Sequence, residues 1–223
     1  MIVNIKQVLS GILAAAGIIL NAQTAEPQIV KTSASPFKAN GRPVEAVWKK
    51  ADQLTGFSIP RQARVAIYQT WGSMMYDENN LYIMVRKEIE PKTEFRPAGK
   101  VSPFAQTNVE VLIRPDLNSE NFFQICAAQG SDTYTAAGFQ PSPIEGLKVW
   151  TYKDSGSRFF NFMIPLKSIG LEHVKAGQKI GFNLCGANYD LAKGVPHESS
   201  SFTVLETDNF RVPSTWNIAE FSA

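Results

Sequence analysis

The chain has 223 residues, 22 basic and 20 acidic side chains and two histidines, for a net charge of +2, with 44% apolar and 19% charged residues. A near-neutral balance with no basic stripe excludes the electrostatic footprint of a nucleic-acid binder, and the apolar content suffices for a full core. Two cysteines are too few for a disulfide scaffold.

Residues 1–25 read as a secretory signal peptide. Lys6 supplies a cationic start, Val8 to Leu20 an apolar run, and Ala22 and Ala25 small cleavage positions. At 13 residues the run is short for a bilayer span. An uncleaved anchor helix is the alternative. Loss of this segment removes only Lys6 among the charges and leaves a net charge of +1. The expectation is a secreted or periplasmic protein with no membrane span after processing. Residues 26–39 mix Pro, Ser, Lys and Thr without periodicity and read as an extended leader.

From residue 40 short apolar runs alternate with turn chemistry. Val44–Lys49 predicts a helical turn. Strands are predicted over 63–70, 72–76, 80–87, 107–114, 121–128, 147–153, 157–165, 179–188 and 200–205. A second helical turn over Pro165–Gly170 is closed by glycine. Breakers such as Asp77-Glu78-Asn79-Asn80 and Gln129-Gly130-Ser131-Asp132 separate the runs. Short strands with regular turns predict one all-β domain over 40–223, an antiparallel β-sandwich of immunoglobulin-like or jelly-roll-like type. Most strand aromatics must fill the space between two sheets.

Catalytic chemistry finds little footing. His173 and His197 sit in turn-like contexts without a third ligand at zinc spacing. No Gly-x-Ser-x-Gly elbow, phosphate loop or EF-hand pattern is present. A glycosidase needs a facing pair of carboxylates, and Glu110 has no obvious strand partner; Glu206 and Asp208 lie in a turn. Asp116-Leu117-Asn118-Ser119-Glu120 offers oxygens for a structural calcium, or is simply a turn.

The stretch Ser102 to Pro115 is the most informative. Phe104 lies in a loop, and the following strand holds one carboxylate, Glu110, among apolar neighbours. Such a carboxylate needs a partner or a ligand. An ion pair with Arg86 or Arg114 is one reading and a bound ligand the other. Cys126 and Cys185 each fall in a predicted strand, and either a bridge between neighbouring strands or two separate buried thiols fits.

Together several segments resemble family 9 carbohydrate-binding modules. They are Gly41-Arg42-Pro43 with Val47-Trp48-Lys49, Tyr76-Asp77-Glu78-Asn79-Asn80-Leu81-Tyr82, Gln106-Thr107-Asn108-Val109-Glu110-Val111 with Phe123-Gln124-Ile125, and Phe162-Met163-Ile164-Pro165-Leu166. Gly177-Gln178-Lys179-Ile180-Gly181-Phe182-Asn183-Leu184 and Phe210-Arg211-Val212-Pro213 with Trp216-Asn217 complete the series. The resemblance covers residues 40–223. It implies a DOMON-like β-sandwich without catalytic activity that binds a glucan- or xylan-type poly- or oligosaccharide, often at a chain end, in support of carbohydrate catabolism.

The resemblance also implies an aromatic clamp at Phe104 and Phe210, where the family has tryptophan, and a hydroxyl-binding glutamate at Glu110. Trp48 and Trp216 fall at family core positions. Cys126 stands where the family has an arginine, and Thr107 or Asn108 where it often has an acid. The physical logic agrees. A sugar's C–H face stacks on an aromatic ring, and its hydroxyl rim needs paired acceptors and donors. Gln124, Asn183 and Asn209 are candidates for that rim, and Trp71 is a reserve contact. The alternatives are a haem-binding electron-transfer domain of the same superfamily, using Met74, Met75, Met84 or Met163, an accessory subunit of a glycoside hydrolase system, and an adhesion or assembly module whose clamp loops contact another protein.

Overall fold

Alternation decides which side of each strand enters the core, because successive side chains point to opposite faces. In the computed structural model, residues 26–62, 64–89, 102–128, 133–154, 156–190 and 195–223 are described. The expected signal peptide lies outside the described residues.

The first sheet runs in the order β10 (Lys148–Asp154), β11 (Ser157–Pro165), β5 (Asn80–Glu88), β4 (Thr70–Tyr76) and β1 (Gln28–Lys31). The second continues from β1 through β14 (Asn217–Phe221), β12 (Lys179–Asp190), β6 (Asn108–Arg114), β7 (Phe123–Ala128), β8 (Thr133–Ala137) and β9 (Gln140–Pro141). The far half of β12 also pairs with β13 (Val195–Ser201), which leads to the short strands β2 (Ser58–Ile59) and β3 (Arg64–Val65).

All pairings are antiparallel except those of β1. Its first half pairs parallel with β14 and its second half parallel with β4. The presumed leader therefore contains the strand that joins the two sheets, and the sandwich begins before residue 40. Hydropathy alone missed it because only Ile29 and Val30 are apolar in Gln28–Lys31.

The core is built from the inward set of each strand. Leu81, Ile83, Val85, Phe160, Phe162 and Ile164 come from the first sheet. Val109, Val111, Ile113, Ile180, Phe182 and Leu184 face them from the second. Each large side chain buried there contributes about 1.5–3 kcal/mol of hydrophobic stabilisation. The expected strands in the middle of the chain fall within a residue or two of those found. The exceptions have local causes. Only Arg64–Val65 of the run expected over 63–70 pairs as a separate strand, because the Glu198 carboxylate accepts hydrogen bonds from the amides of Ile67 (2.8 Å) and Tyr68 (3.0 Å) and holds them in a bend. The strand expected over 200–205 lies earlier, at β13. Strands β8, β9 and β14 were not expected.

Both helical turns are present, as α1 (Glu45–Trp48) and as a 3₁₀ turn over Leu166–Ile169 that ends at Gly170 with φ of 74°. Helix α1 lies on the outer face of the first sheet. There Phe37, Trp48, Met75 and Tyr82 form a second cluster, with Met84, Met163 and Trp150 packed against it. The methionines considered as haem ligands are thus packing residues of the two clusters, Met74 lying in the main core.

Gly41 sits in the turn beneath Trp150 with φ of 77°, and its carbonyl accepts a 2.8 Å bond from the Asn161 amide. A Cβ there would lie 2.0 Å from the Trp150 ring. Gly41→Ala is expected to cost about 1–3 kcal/mol through overpacking and a left-handed backbone. A lowered urea midpoint at unchanged slope would show this.

Candidate functional site

Strand β6 is buried on both faces. Since Val109, Val111 and Ile113 enter the core, Asn108, Glu110, Leu112 and Arg114 must point to the outer face of the second sheet. The register then writes a row across that face: Tyr134 on β8 opposite Cys126 on β7, Cys126 opposite Glu110, Glu110 opposite Cys185 on β12, and Cys185 opposite Ser201 on β13. Gln124 stands diagonally from Glu110 and donates a 2.6 Å hydrogen bond from Nε2 to its Oε2. Diagonal neighbours on one sheet face lie within reach of such long side chains.

Two segments rise around this floor. Phe104 sits on a 3₁₀ turn over Pro103–Ala105, which the Asn108 side chain ties to β6 through a 3.0 Å bond to the Pro103 carbonyl. Its ring is 40% exposed and meets Tyr134 edge-on, with centroids 5.0 Å apart. On the other side, residues 205–212 form a loop carrying Phe210. That ring packs against the cluster of Leu112, Phe122, Cys185 and Trp216, and Trp216 Nε1 donates a 2.8 Å bond to the Phe210 carbonyl. Arg61 fastens the same loop from β2–β3. Its amide donates to the Leu205 carbonyl (2.8 Å) and its guanidinium pairs with Asp208 (2.9 Å). Both charges are largely in water, so the pair adds at most about 1 kcal/mol.

The result is a cleft of about 450 Å³ lined by Ser102, Phe104, Glu110, Gln124, Tyr134, Asp208, Asn209, Phe210 and Arg211. It brings together Phe104, Phe210, Glu110, Gln124 and Asn209 of the residues nominated from sequence. A larger hollow of about 630 Å³ beside Lys31 and Asp77 has no aromatic lining. The Asp77 carboxylate there is engaged by the Asn79 and Asn80 amides and the Tyr82 hydroxyl. Chemistry rather than size marks the smaller cleft.

Three expectations are corrected. Asn183 is fully buried, away from the cleft, and its Oδ1 accepts bonds from Ser201 Oγ (3.0 Å) and the Thr203 amide (3.1 Å). Trp71 belongs to β4 in the other sheet, where the Arg86 guanidinium stacks over it at 4.7 Å. Cys126 and Cys185 are free and buried. They lie on β7 and β12 with β6 between them, two strand spacings or roughly 10 Å apart, beyond disulfide reach.

Nor does Glu110 form the ion pair considered above. Arg114 pairs with Glu120 at 3.6 Å, and Arg86 bonds Ser157. Asp116 Oδ1 caps its own turn through the Asn118 amide (2.9 Å), and among the described residues no cluster of three or more His, Cys, Asp or Glu side chains is arranged to hold a metal. His197 rests against the Tyr68 ring, and His173 occupies a turn with φ of 57°.

Ser102, Tyr134, Asp208 and Arg211 were not nominated. Tyr134 had a visible cue, since Thr133-Tyr134-Thr135 is strand-like between turn residues. Arg211 directly follows Phe210.

The electrostatics of the floor follow from burial. Glu110 is only 7% exposed, and desolvation raises its carboxyl above the ordinary range; the Gln124 amide and the Arg211 charge partly offset this. Gln124 is 1% exposed, and its Oε1 accepts no hydrogen bond among the described residues. Among the described residues Glu110 Oε1 has no hydrogen bond either. The cleft thus has the Glu110 carboxylate at its base, bonded on one oxygen by Gln124, with rings and a guanidinium above. Burial also pushes both thiols well up, helped by the Glu110 charge.

This sandwich with a ring-lined cleft on its second sheet is the architecture of a ligand-binding module. The family model for "carbohydrate family 9 binding domain-like" matches residues 40–222, and the chain belongs to that family. Among solved structures, the chain is similar to a family 9 carbohydrate-binding module from Caldicellulosiruptor kristjanssonii in complex with cellotriose, with TM-score 0.67 and 12% identity over 89% of this chain and 94% of that one. It is also similar to such a module from the same organism in complex with glucose, with TM-score 0.66 and 15% identity over 88% of this chain and 96% of that one. At these identities the likeness concerns the fold. No curated protein matches the chain.

Two measurements follow. Thiol titration should find Cys126 and Cys185 unreactive in the native protein and both reactive in denaturant, without reductant. Glu110→Gln should raise stability at neutral pH. The native carboxyl binds its proton more tightly than the unfolded one, so stability falls as pH rises from the ordinary carboxylate value through the raised one. The gain should therefore shrink toward zero when urea unfolding is repeated below the ordinary carboxylate range.

Proposed function

We propose that this protein is an exported, non-catalytic module that holds the end of a gluco- or xylo-oligosaccharide in the cleft on its second sheet. The observation that carries the reading is convergence. Phe104, Glu110, Gln124, Asn209 and Phe210 come from four separate segments of the chain and line one cleft. Such a set suits a pyranose. Its C–H face stacks on Phe104, whose ring is held by Tyr134, while Phe210 forms the opposite part of the lining. A hydroxyl donor satisfies Glu110 Oε1, while Gln124 holds the other carboxylate oxygen in place. Arg211 and the Tyr134 hydroxyl donate to ring and hydroxyl oxygens. Of the charges lining the cleft, Glu110 is offset by Arg211, and Asp208 is paired with Arg61, which stands outside the lining; this suits a neutral ligand.

The complexes of the similar modules with cellotriose and glucose support the same ligand class. The apolar run behind Lys6 supports export, and with export a role in capturing products of polysaccharide breakdown outside the cytoplasm.

Isothermal titration with gluco-, xylo- and manno-oligosaccharides tests the reading. Binding to at least one series is expected, with no release of reducing sugar. Phe104→Ala should weaken it about fivefold, and Glu110→Ala about ten- to a hundredfold, through loss of charge-assisted hydrogen bonds. Absence of heat with every sugar, from folded protein, would overturn it. Amino-terminal sequencing of the protein recovered from the periplasm or medium checks processing at or near Ala22 or Ala25.

A further inference from the structure

Phe139 is a large aromatic left 61% exposed at the turn between β8 and β9, immediately after Gly138. A turn needs no aromatic ring there, and leaving one in water forfeits hydrophobic stabilisation. Yet the ring is firmly mounted. It meets Phe122 at 88° with centroids 5.4 Å apart, and Phe122, which is buried, meets Trp216 at 83° and 5.4 Å. The Arg211 guanidinium lies 5.2 Å from the Phe139 centroid.

Arg211 is also part of the cleft lining. Phe139 therefore stands just beyond the rim, on the side of Phe210, with Arg211 shared between the two places. Tyr134, at the opposite end of β8, contacts Phe104. The three residue steps from Tyr134 to Ala137 at the end of β8 cover about 10 Å along the sheet, and Phe139 lies in the turn beyond them, so the span exceeds one pyranose.

We propose that Phe139 forms a second saccharide subsite. It stacks on the next pyranose unit of an oligosaccharide whose terminal unit occupies the cleft, with Arg211 donating hydrogen bonds near the linkage between the two units. The inference rests on the reading of the cleft as a saccharide site and adds to it a preference for chain length. A preformed ring restricts no rotamers on binding, so an exposed, fixed aromatic is well suited to stacking.

The test is titration of the wild type, Phe139→Ala and Phe139→Leu with glucose, cellobiose and cellotriose, and with xylose and xylotriose. The wild type is expected to bind a trisaccharide about fivefold more tightly than the corresponding monosaccharide. In both variants that ratio should fall to near one. Leucine keeps an apolar contact with Phe122 but has no π face, so a merely structural role survives it and a stacking role does not. Equal affinity of the wild type for mono- and trisaccharide, or an unchanged ratio in both variants, overturns the second subsite and leaves the cleft reading standing. No binding of any of the five sugars by folded protein overturns the cleft reading and this inference with it.

Discussion

Strand β6 is buried on both faces, and the rest of the molecule is arranged around that constraint. Its inward face, Val109, Val111 and Ile113, packs into the core between the sheets. Its outward face carries one apolar side chain, Leu112, among Asn108, Glu110 and Arg114, and all four are largely covered. The Leu112–Phe122–Trp216 cluster covers one part. The 3₁₀ turn bearing Phe104 approaches another, held there by Asn108. What remains uncovered is the cleft, and Glu110 is the group left at its floor.

Leaving a carboxylate in that position works against stability. Desolvation raises its proton affinity, and Gln124 supplies only one neutral donor in return. A strand built for stability alone would carry an apolar residue opposite Cys126 and Cys185. The two thiols fit this view. They are small, buried and unbridged neighbours on either side of Glu110, filling space on the row; the Cys185 thiol donates to the Glu110 backbone carbonyl (3.9 Å), not to its carboxylate. The Glu110 carboxylate is thus a costly group kept at the base of a ring-lined cleft.

The walls are held by different means from the floor. Phe104 is braced by Tyr134, and Phe210 by the Trp216 indole at its carbonyl and by packing. The loop bearing Phe210 is further tied by exposed contacts to Arg61, each of small energy. The floor is thus held by sheet register, and the walls by a few loop contacts. Arg211 follows Phe210 in the cleft lining and lies 5.2 Å from the Phe139 centroid, which links the cleft to that exposed ring.

Much of this was legible in the chain. Alternating runs and turn residues defined the central strands, since burial of one face imposes a period of two whatever the partner. The order of short motifs pointed to the family; Phe104 and Glu110 stood out as a loop ring beside a lone strand carboxylate, and Phe210 as the second clamp position that the resemblance implies. Pairing was not legible. Strand β1 has too few apolar residues to announce itself, and its role as the link between sheets exists only through parallel contacts with β4 and β14. Asn183 and Trp71 look like ligands by residue type, but Ser201 and Thr203 engage the first in a buried hydrogen-bond network, and the second lies on the opposite sheet. For Cys126 and Cys185 the sequence left a bridge and two separate thiols equally open, and β6 between them decides for the second. Residue type and periodicity determine which groups a strand presents and to which side. Which of those groups meet depends on contacts distant in sequence, and only the assembled sheets, with Tyr134 and Arg211 brought in beside Glu110, decided that.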